Sequence, residues 1–263
     1  MKNILLQNKT ISFLIKPLAF VIFVSLSAAN SIVGLQQNPS PEMVLVFSTK
    51  ANSPGKPIEV IFKKGEEFKD PLMAIWIEDL DGNYIQSLYV AQSIATGVFR
   101  HGIPSNGRWL PGPLRRPAAL PYWGHKRGVV AEDGLFVPSQ NHPMVDAITG
   151  ATPKTSFRLQ SRYELGNMKK FVVLLEINQS LHWNPHWNIN KFPDDPEYRT
   201  SGQPAVVYAA TVDLESGENV FEMTLIGHSH WSGATGQLFT DTSTLTTALG
   251  IANSITVMIN TLE

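Results

Sequence analysis

The chain has 263 residues, 21 of them basic and 22 acidic, a formal net charge of −1 and no cysteine. A near-neutral balance without a dense basic run argues against a nucleic-acid binder. The missing cysteines exclude disulfides, thiolate metal sites, iron–sulfur clusters and cysteine catalysis, so the fold must rest on an ordinary apolar core.

The first stretch carries Lys2, Lys9 and Lys16 and no acidic residue before Glu42. An apolar run from Pro17 to Leu26 follows, then the small residues Ser27, Ala28 and Ala29. This order predicts a secretory signal peptide over residues 1–29, cleaved after Ala29, and hence a periplasmic or secreted protein. The apolar run is shorter than the roughly 20 residues a spanning helix needs. Cleavage takes the balance from 21 basic and 22 acidic residues to 18 and 22, or −4. Residues 30–41 read as a linker, and 42–263 as the folded domain.

Strand candidates come next. Met43 to Ser48 and Pro57 to Phe62 are two of them. Leu72 to Leu80 and Tyr84 to Val90 form a hairpin around Asp81-Gly82, a strong turn dipeptide. Met73, Ile75 and Ile77 share one face of that hairpin; Ala74, Trp76 and Glu78 share the other. Asp79, Asp81 and Asn83 open like a calcium loop, but Tyr84 and Val90 stand where Gly and a bidentate Glu are required, so the turn is a solvated one. Gly102 to Pro143 is rich in Pro, Trp, Tyr and Arg, including Trp109, Arg115, Arg116, Tyr122 and Trp123. Disordered segments are poor in aromatics, and this points to an ordered cover or binding loop. Either of two roles fits: aromatics and Arg presented to a ligand, or an aromatic plug over one end of the core.

Lys170 to Asn178 is a buried-strand candidate. Ala205 to Asp213 and Val220 to Gly227 form a second hairpin. Ser243 to Ile251 suggests a short helix and Ser254 to Ile259 a closing strand. Many short strands with almost no helical periodicity predict an all-β chain, a β-sandwich with little helix. Two hairpins around a central stretch permit two similar β-halves meeting near residues 100–150.

Four of the seven histidines fall in two groups, His182 with His186, and His228 with His230. Imidazoles so grouped are candidate ligands for zinc, copper or a similar metal. In the other reading, the neighbouring Trp183, Trp187 and Trp231 are core or rim aromatics, and the polar residues satisfy backbone at loop ends. Glu176 and Asn178 share a face and suit either added ligands or caps for those loops.

Asp146-Ala147-Ile148-Thr149-Gly150-Ala151-Thr152 resembles the acceptor motif Asp-x-x-(Ser/Thr)-Gly-Ala-(Ser/Thr) of bacterial proteins that carry FMN covalently. The resemblance implies that Thr152 is joined to the FMN phosphate by a flavin transferase. Thr149, Gly150 and Ala151 would shape the acceptor loop, and Asp146 would support it. Small neighbours let a modifying enzyme close around the hydroxyl, and Gly150 permits a left-handed bend. Pro153, which lacks an N–H, helps keep the segment a loop. In the bland reading the same residues make a connecting turn. Ser232-Gly233-Ala234-Thr235 repeats the small-residue part of the motif without its Asp and reads as a turn. The flavin-binding domain of sodium-pumping respiratory complexes has a similar acceptor motif but shares nothing else with this chain.

Several blocks together resemble an uncharacterised family of exported bacterial β-domain proteins with an immunoglobulin-like fold. They are Ala74-Ile75-Trp76-Ile77-Glu78-Asp79, Arg116-Pro117-Ala118-Ala119-Leu120-Pro121-Tyr122-Trp123 and the run from Val145 to Thr155. Glu176-Ile177-Asn178, Gly202-Gln203-Pro204-Ala205-Val206-Val207-Tyr208 and Leu245-Thr246-Thr247-Ala248 complete the set. That family is associated with periplasmic flavin transferases and membrane-bound reductases. The resemblance implies an exported electron carrier with those partners. The alternative is a cofactor-free immunoglobulin-like module that binds a partner protein or a metal through its Trp/His loops.

Overall fold

The computed structural model describes residues 44–144 and 149–259, with Thr149 as backbone only. The expected signal peptide (1–29), the linker (30–41) and Asp146 lie outside the described residues. In chain order the first strands are β1 (Leu45–Ser48), β2 (Lys56–Lys64), β3 (Leu72–Glu78), β4 (Tyr84–Ala91), β5 (Val98–Ser105), β6 (Arg108–Pro113) and β7 (Thr149–Gly150). They are followed by β8 (Phe157–Tyr163), β9 (Lys170–Asn178), β10 (Val206–Asp213), β11 (Val220–Glu222), β12 (Thr224–His228) and β13 (Ala252–Ile259). Two short helices, α1 (Gln92–Thr96) and α2 (Pro121–Arg127), lie between β4 and β7.

The strands make a five-stranded sheet, β1-β8-β2-β13-β11, and a six-stranded sheet, β12-β10-β9-β3-β4-β7. Alternation along the strands supplies the layer between them. Ile58, Val60 and Phe62 of β2, Phe157 and Leu159 of β8, and Ile255 and Val257 of β13 meet Met73, Ile75 and Ile77 of β3 and Val173, Leu175 and Ile177 of β9. The expected all-β sandwich with little helix is the observed architecture.

All seven residues of β3 are buried, so its second face does not meet water. Leu72, Ala74 and Trp76 belong to a second apolar cluster with Ile94 and Ala95 of α1 and with Ala119, Leu120, Tyr122 and Trp123. The stretch read as a Pro- and aromatic-rich loop is therefore partly a third layer, laid over the outer face of the six-stranded sheet.

The third layer is fixed by a carboxyl group from beneath. The first backbone N–H groups of a helix lack intrahelical partners, and an N-cap side chain normally accepts from them. At α2 the N-cap position is Leu120, which cannot accept. Glu176 of β9 serves instead, taking the Tyr122 N–H at 3.2 Å and the Trp123 N–H at 2.8 Å. Burial pushes the Glu176 carboxyl up to about 8, against the pull of these bonds and of the Ser229 hydroxyl. The other end of α2 is tied by Lys126, whose ammonium donates to Glu78 at 3.1 Å and to the Gly82 carbonyl at 2.7 Å. The Trp123 indole donates to Ser87 at 2.9 Å.

Several expectations need correction. Residues 102–143 are not one loop: β5 and β6 pair as a hairpin. Its turn, Asn106-Gly107, has φ of 46° and 74°, the doubly left-handed pair of a type I′ turn. Both sheets draw strands from each side of residues 100–150, so the chain does not form two separate β-halves. The second hairpin pairs β10 with β12, while β11 crosses to β13, which lets Phe221 and Met223 enter the inter-sheet core. The expected helix at 243–251 shrinks to a 3-10 turn over Thr247–Gly250. The Asp79 turn is as expected: its carboxylate accepts from the backbone of Asp81 and from the backbone and side chain of Asn83.

Glu176 also yields a test. Its raised folded pKa means that, between about pH 4.5 and 8, the native state keeps a proton that the unfolded chain releases. Its contribution to stability therefore falls as pH rises through that window. Glu176→Gln removes one acceptor and is expected to cost about 1–3 kcal/mol at pH 5. The gap between wild type and variant should narrow by pH 8 in denaturant titrations, and a gap that widens contradicts the assignment.

Candidate cofactor-attachment site

The acceptor segment enters the structure as the edge of the six-stranded sheet. Thr149 and Gly150 pair in parallel with Val90 and Ala91 of β4. The segment is thus a short strand before it becomes irregular, because β4 leaves its outer backbone edge free at that point. Gly150 is not left-handed, and a Cβ there would meet only Tyr89 Cε2 at 3.9 Å, so the expected bend is not its role. Ala151 is exposed, Thr152 half-buried and Pro153 buried.

Thr152 lies in two settings at once. Its hydroxyl interacts with the phenol of Tyr89, whose ionisation is driven upward by burial. That phenol oxygen is buried without a well-formed hydrogen bond. Thr152 also lines a cleft of about 520 Å³. The cleft is assembled from segments distant in sequence: Lys69 to Leu72, then Phe99, Arg100 and His101, then Arg116, then Lys154, then Gln179 to His182. Four cationic side chains, Lys69, Arg100, Arg116 and Lys154, stand there against one carboxylate, Asp70, which is ion-paired with Lys154.

The cleft walls are stiffened by hydrogen bonds. Arg116 donates to Ser180 Oγ at 3.2 Å and lies over the Phe99 ring at 5.2 Å. Burial lowers its pKa, with Glu197 pulling the other way. The His182 segment is clamped by Gln203, whose backbone and side-chain N–H groups donate to the His182 carbonyl at 2.9 and 3.1 Å. The His182 ring is driven toward its neutral form by burial, against the pull of Glu67.

The histidines do not assemble as a metal set. Among the described residues, no group of three or more His, Asp or Glu side chains converges to hold an ion. His182 lines the cleft. His186 and His228 lie against Trp187, with centroids at 5.1 and 6.0 Å. His230 stacks on Trp231 at 4.0 Å. The rings of His186, His228 and His230 are spent on indoles, on Lys191 and on local backbone, as when His228 Nδ1 meets the Ser229 carbonyl at 2.8 Å. Glu176 and Asn178 are caps: Asn178 donates to Ser201 and to the Gln203 carbonyl. The Thr235 segment is a turn with Thr235 exposed.

The sequence marked Thr152 by its motif and placed Arg116 in the stretch that presents aromatics and Arg to a ligand. It missed Lys69 and Phe99, which only the fold brings to the cleft, and Tyr89, a core residue set against Thr152. Tyr122 and Trp123, from the stretch read as presenting aromatics to a ligand or plugging the core, are buried in the third layer, and the aromatic at the cleft is Phe99. No family model matches the chain, and no curated protein matches it.

Two glycines separate tolerance from constraint. Gly150→Ala has room for its methyl group and is expected to keep stability within about 1 kcal/mol. Gly202 has φ of 88°, and a Cβ there would lie 2.8 Å from the His182 carbonyl oxygen. Gly202→Ala should lose about 1–3 kcal/mol through backbone strain. Thermal melts of both variants check the contrast, and equal losses would contradict it.

Proposed function

We propose that this chain is an exported electron-transfer protein carrying FMN in phosphoester linkage to Thr152. One conjunction supports the reading: the hydroxyl that the motif marks for modification shares a single cleft with four cationic side chains and an aromatic ring. A volume of about 520 Å³ is within the size range of small-molecule sites. The donor set suits a phosphorylated ligand, since Arg and Lys recognise phosphate oxygens through charge-assisted hydrogen bonds.

In the attachment step a bond forms between Thr152 Oγ1 and the flavin phosphorus. The bond from that phosphorus to the donor's leaving nucleoside monophosphate breaks, and the hydroxyl proton leaves. A periplasmic flavin transferase would catalyse it. Gly150 and Ala151 would keep bulk away from the acceptor, and the Thr149–Gly150 strand ties the segment to β4; in the motif's reading Asp146 would support it. The FMN, once attached, supplies one- and two-electron chemistry, and the protein supplies tether, orientation and electrostatics. Arg116 and Lys69 would offset the phosphate charge, and Phe99 would offer a stacking face. The redox partner would be a membrane-bound reductase.

The expected outcome is a mass gain of one FMN less one water when the chain is exported alongside a flavin transferase. The gain should persist in Thr235→Ala and vanish in Thr152→Ala. An unmodified wild-type mass, in cells that modify a control acceptor, would leave the cofactor-free binding module as the reading.

A further inference from the structure

The cleft wall holds two nitrogens with no partner among the described residues, an Arg donor and an imidazole nitrogen that donates in its Nε2–H tautomer. Arg116 Nε and His182 Nε2 are both buried, and neither has a hydrogen-bond partner. Both residues line the same cleft. The guanidinium is fixed by other atoms: one terminal nitrogen, Nη1, reaches Ser180 Oγ at 3.2 Å and the Thr200 carbonyl at 3.5 Å, and the plane lies over Phe99. His182 is fixed by its backbone, with its N–H on the Ser201 carbonyl at 2.9 Å and its carbonyl held by Gln203. Gly202, at φ 88°, allows that close approach. The side chains are thus held in place by bonds that leave Nε and Nε2 unspent.

Buried donors without partners in a native structure call for a water, an ion or a ligand. The surroundings favour an anion: Glu67 pairs with Lys69 and Asp70 with Lys154, which leaves Arg100 and Arg116 as the lining cations without an ion pair among the described residues. A phosphate monoester offers several acceptor oxygens and up to two negative charges, which suits an Arg beside a second donor. We infer that Arg116 and His182 form a phosphate-recognition pair that binds a phosphomonoester without covalent attachment. In naming FMN as the ligand the inference rests on the flavin reading; the pair itself does not depend on a bond at Thr152. The chain would then hold the phosphate end of the flavin itself, as a positioning device for the acceptor.

The test uses the full chain made without a flavin transferase, so that Thr152 is free. FMN and riboflavin, which differ by the phosphate alone, are titrated by flavin fluorescence, with inorganic phosphate as competitor. FMN is expected to bind at least about tenfold tighter than riboflavin, the scale of a charge-assisted hydrogen bond. Phosphate should displace FMN. Arg116→Lys keeps the charge and loses the fixed Nε donor, and His182→Phe removes Nε2; each should weaken FMN toward the riboflavin value and leave riboflavin unchanged. Equal binding of FMN and riboflavin by the wild type, or no FMN binding up to about millimolar, overturns the pair without any variant. The outcomes are separable from those of the attachment reading. FMN binding with Thr152 never modified keeps the pair and sinks the tether. Modification at Thr152 without phosphate-dependent binding does the reverse.

Discussion

The contact on which the rest of the architecture depends is the Glu176 carboxyl group under the first turn of α2. A seven-residue helix with Leu120 at its N-cap has no local means of satisfying its first N–H groups. The carboxyl group of a central strand supplies it from the sheet below, at 2.8 Å from the Trp123 nitrogen. A fully buried acid is expensive unless its oxygens are hydrogen-bonded, and an uncapped buried helix end is expensive too. Each demand meets the other. The result fixes the register of the third layer on the sheet, seats Trp123 against Ser87, and brings the preceding residues down as a buried run from Pro117 to Leu120. Arg116, at the head of that run, is thereby delivered to the cleft.

The far wall of the cleft is organised by a second buried polar residue. Gln203 is 1% exposed and spends both ends of its amide. Its oxygen accepts the Thr246 N–H at 2.8 Å, and its nitrogen donates to the His182 carbonyl and to Thr247 Oγ1. Satisfied networks of this kind rigidify what they join. The cleft is therefore bounded by two segments, at Arg116 and at His182, each pinned by a buried polar side chain of the six-stranded sheet or its continuation. Rigid walls with unspent donors are what a site needs if it is to position a ligand rather than adapt to it.

Much of the sandwich was legible because its strands alternate. Met73, Ile75 and Ile77 against Ala74, Trp76 and Glu78 gave the two faces of β3 directly, though that both are buried follows only from the third layer. β8 was missed because Arg158, Gln160 and Arg162 dilute its apolar content; the signal was present, since Phe157, Leu159, Ser161 and Tyr163 alternate with them and are buried. The β5–β6 hairpin was hidden by its prolines, although Asn106-Gly107 is a strong turn signal. α2 carried Pro121 at its first position and Gly128 at its end, a recognisable asymmetry. Its cap lies more than fifty residues away, beyond any local pattern. The cleft was illegible for the same reason. Thr152 was marked by its motif, whereas Lys69, Tyr89, Phe99 and His182 meet it only through strand order.

The claim that matters most is that the flavin is carried on Thr152. The sequence offers a direct assay, because trypsin separates the two acceptor-like segments completely. Cleavage after Arg127 and Lys154 releases 128–154, which holds Thr152, and cleavage after Arg199 leaves 200–263, which contains no Lys or Arg and holds Thr235. After export alongside a flavin transferase, the peptides are separated and read by flavin absorbance at visible wavelengths and by mass. The account predicts that all covalent flavin travels with 128–154 and fragments to Thr152. Flavin on 200–263, or none on either peptide from cells that modify a control acceptor, contradicts it.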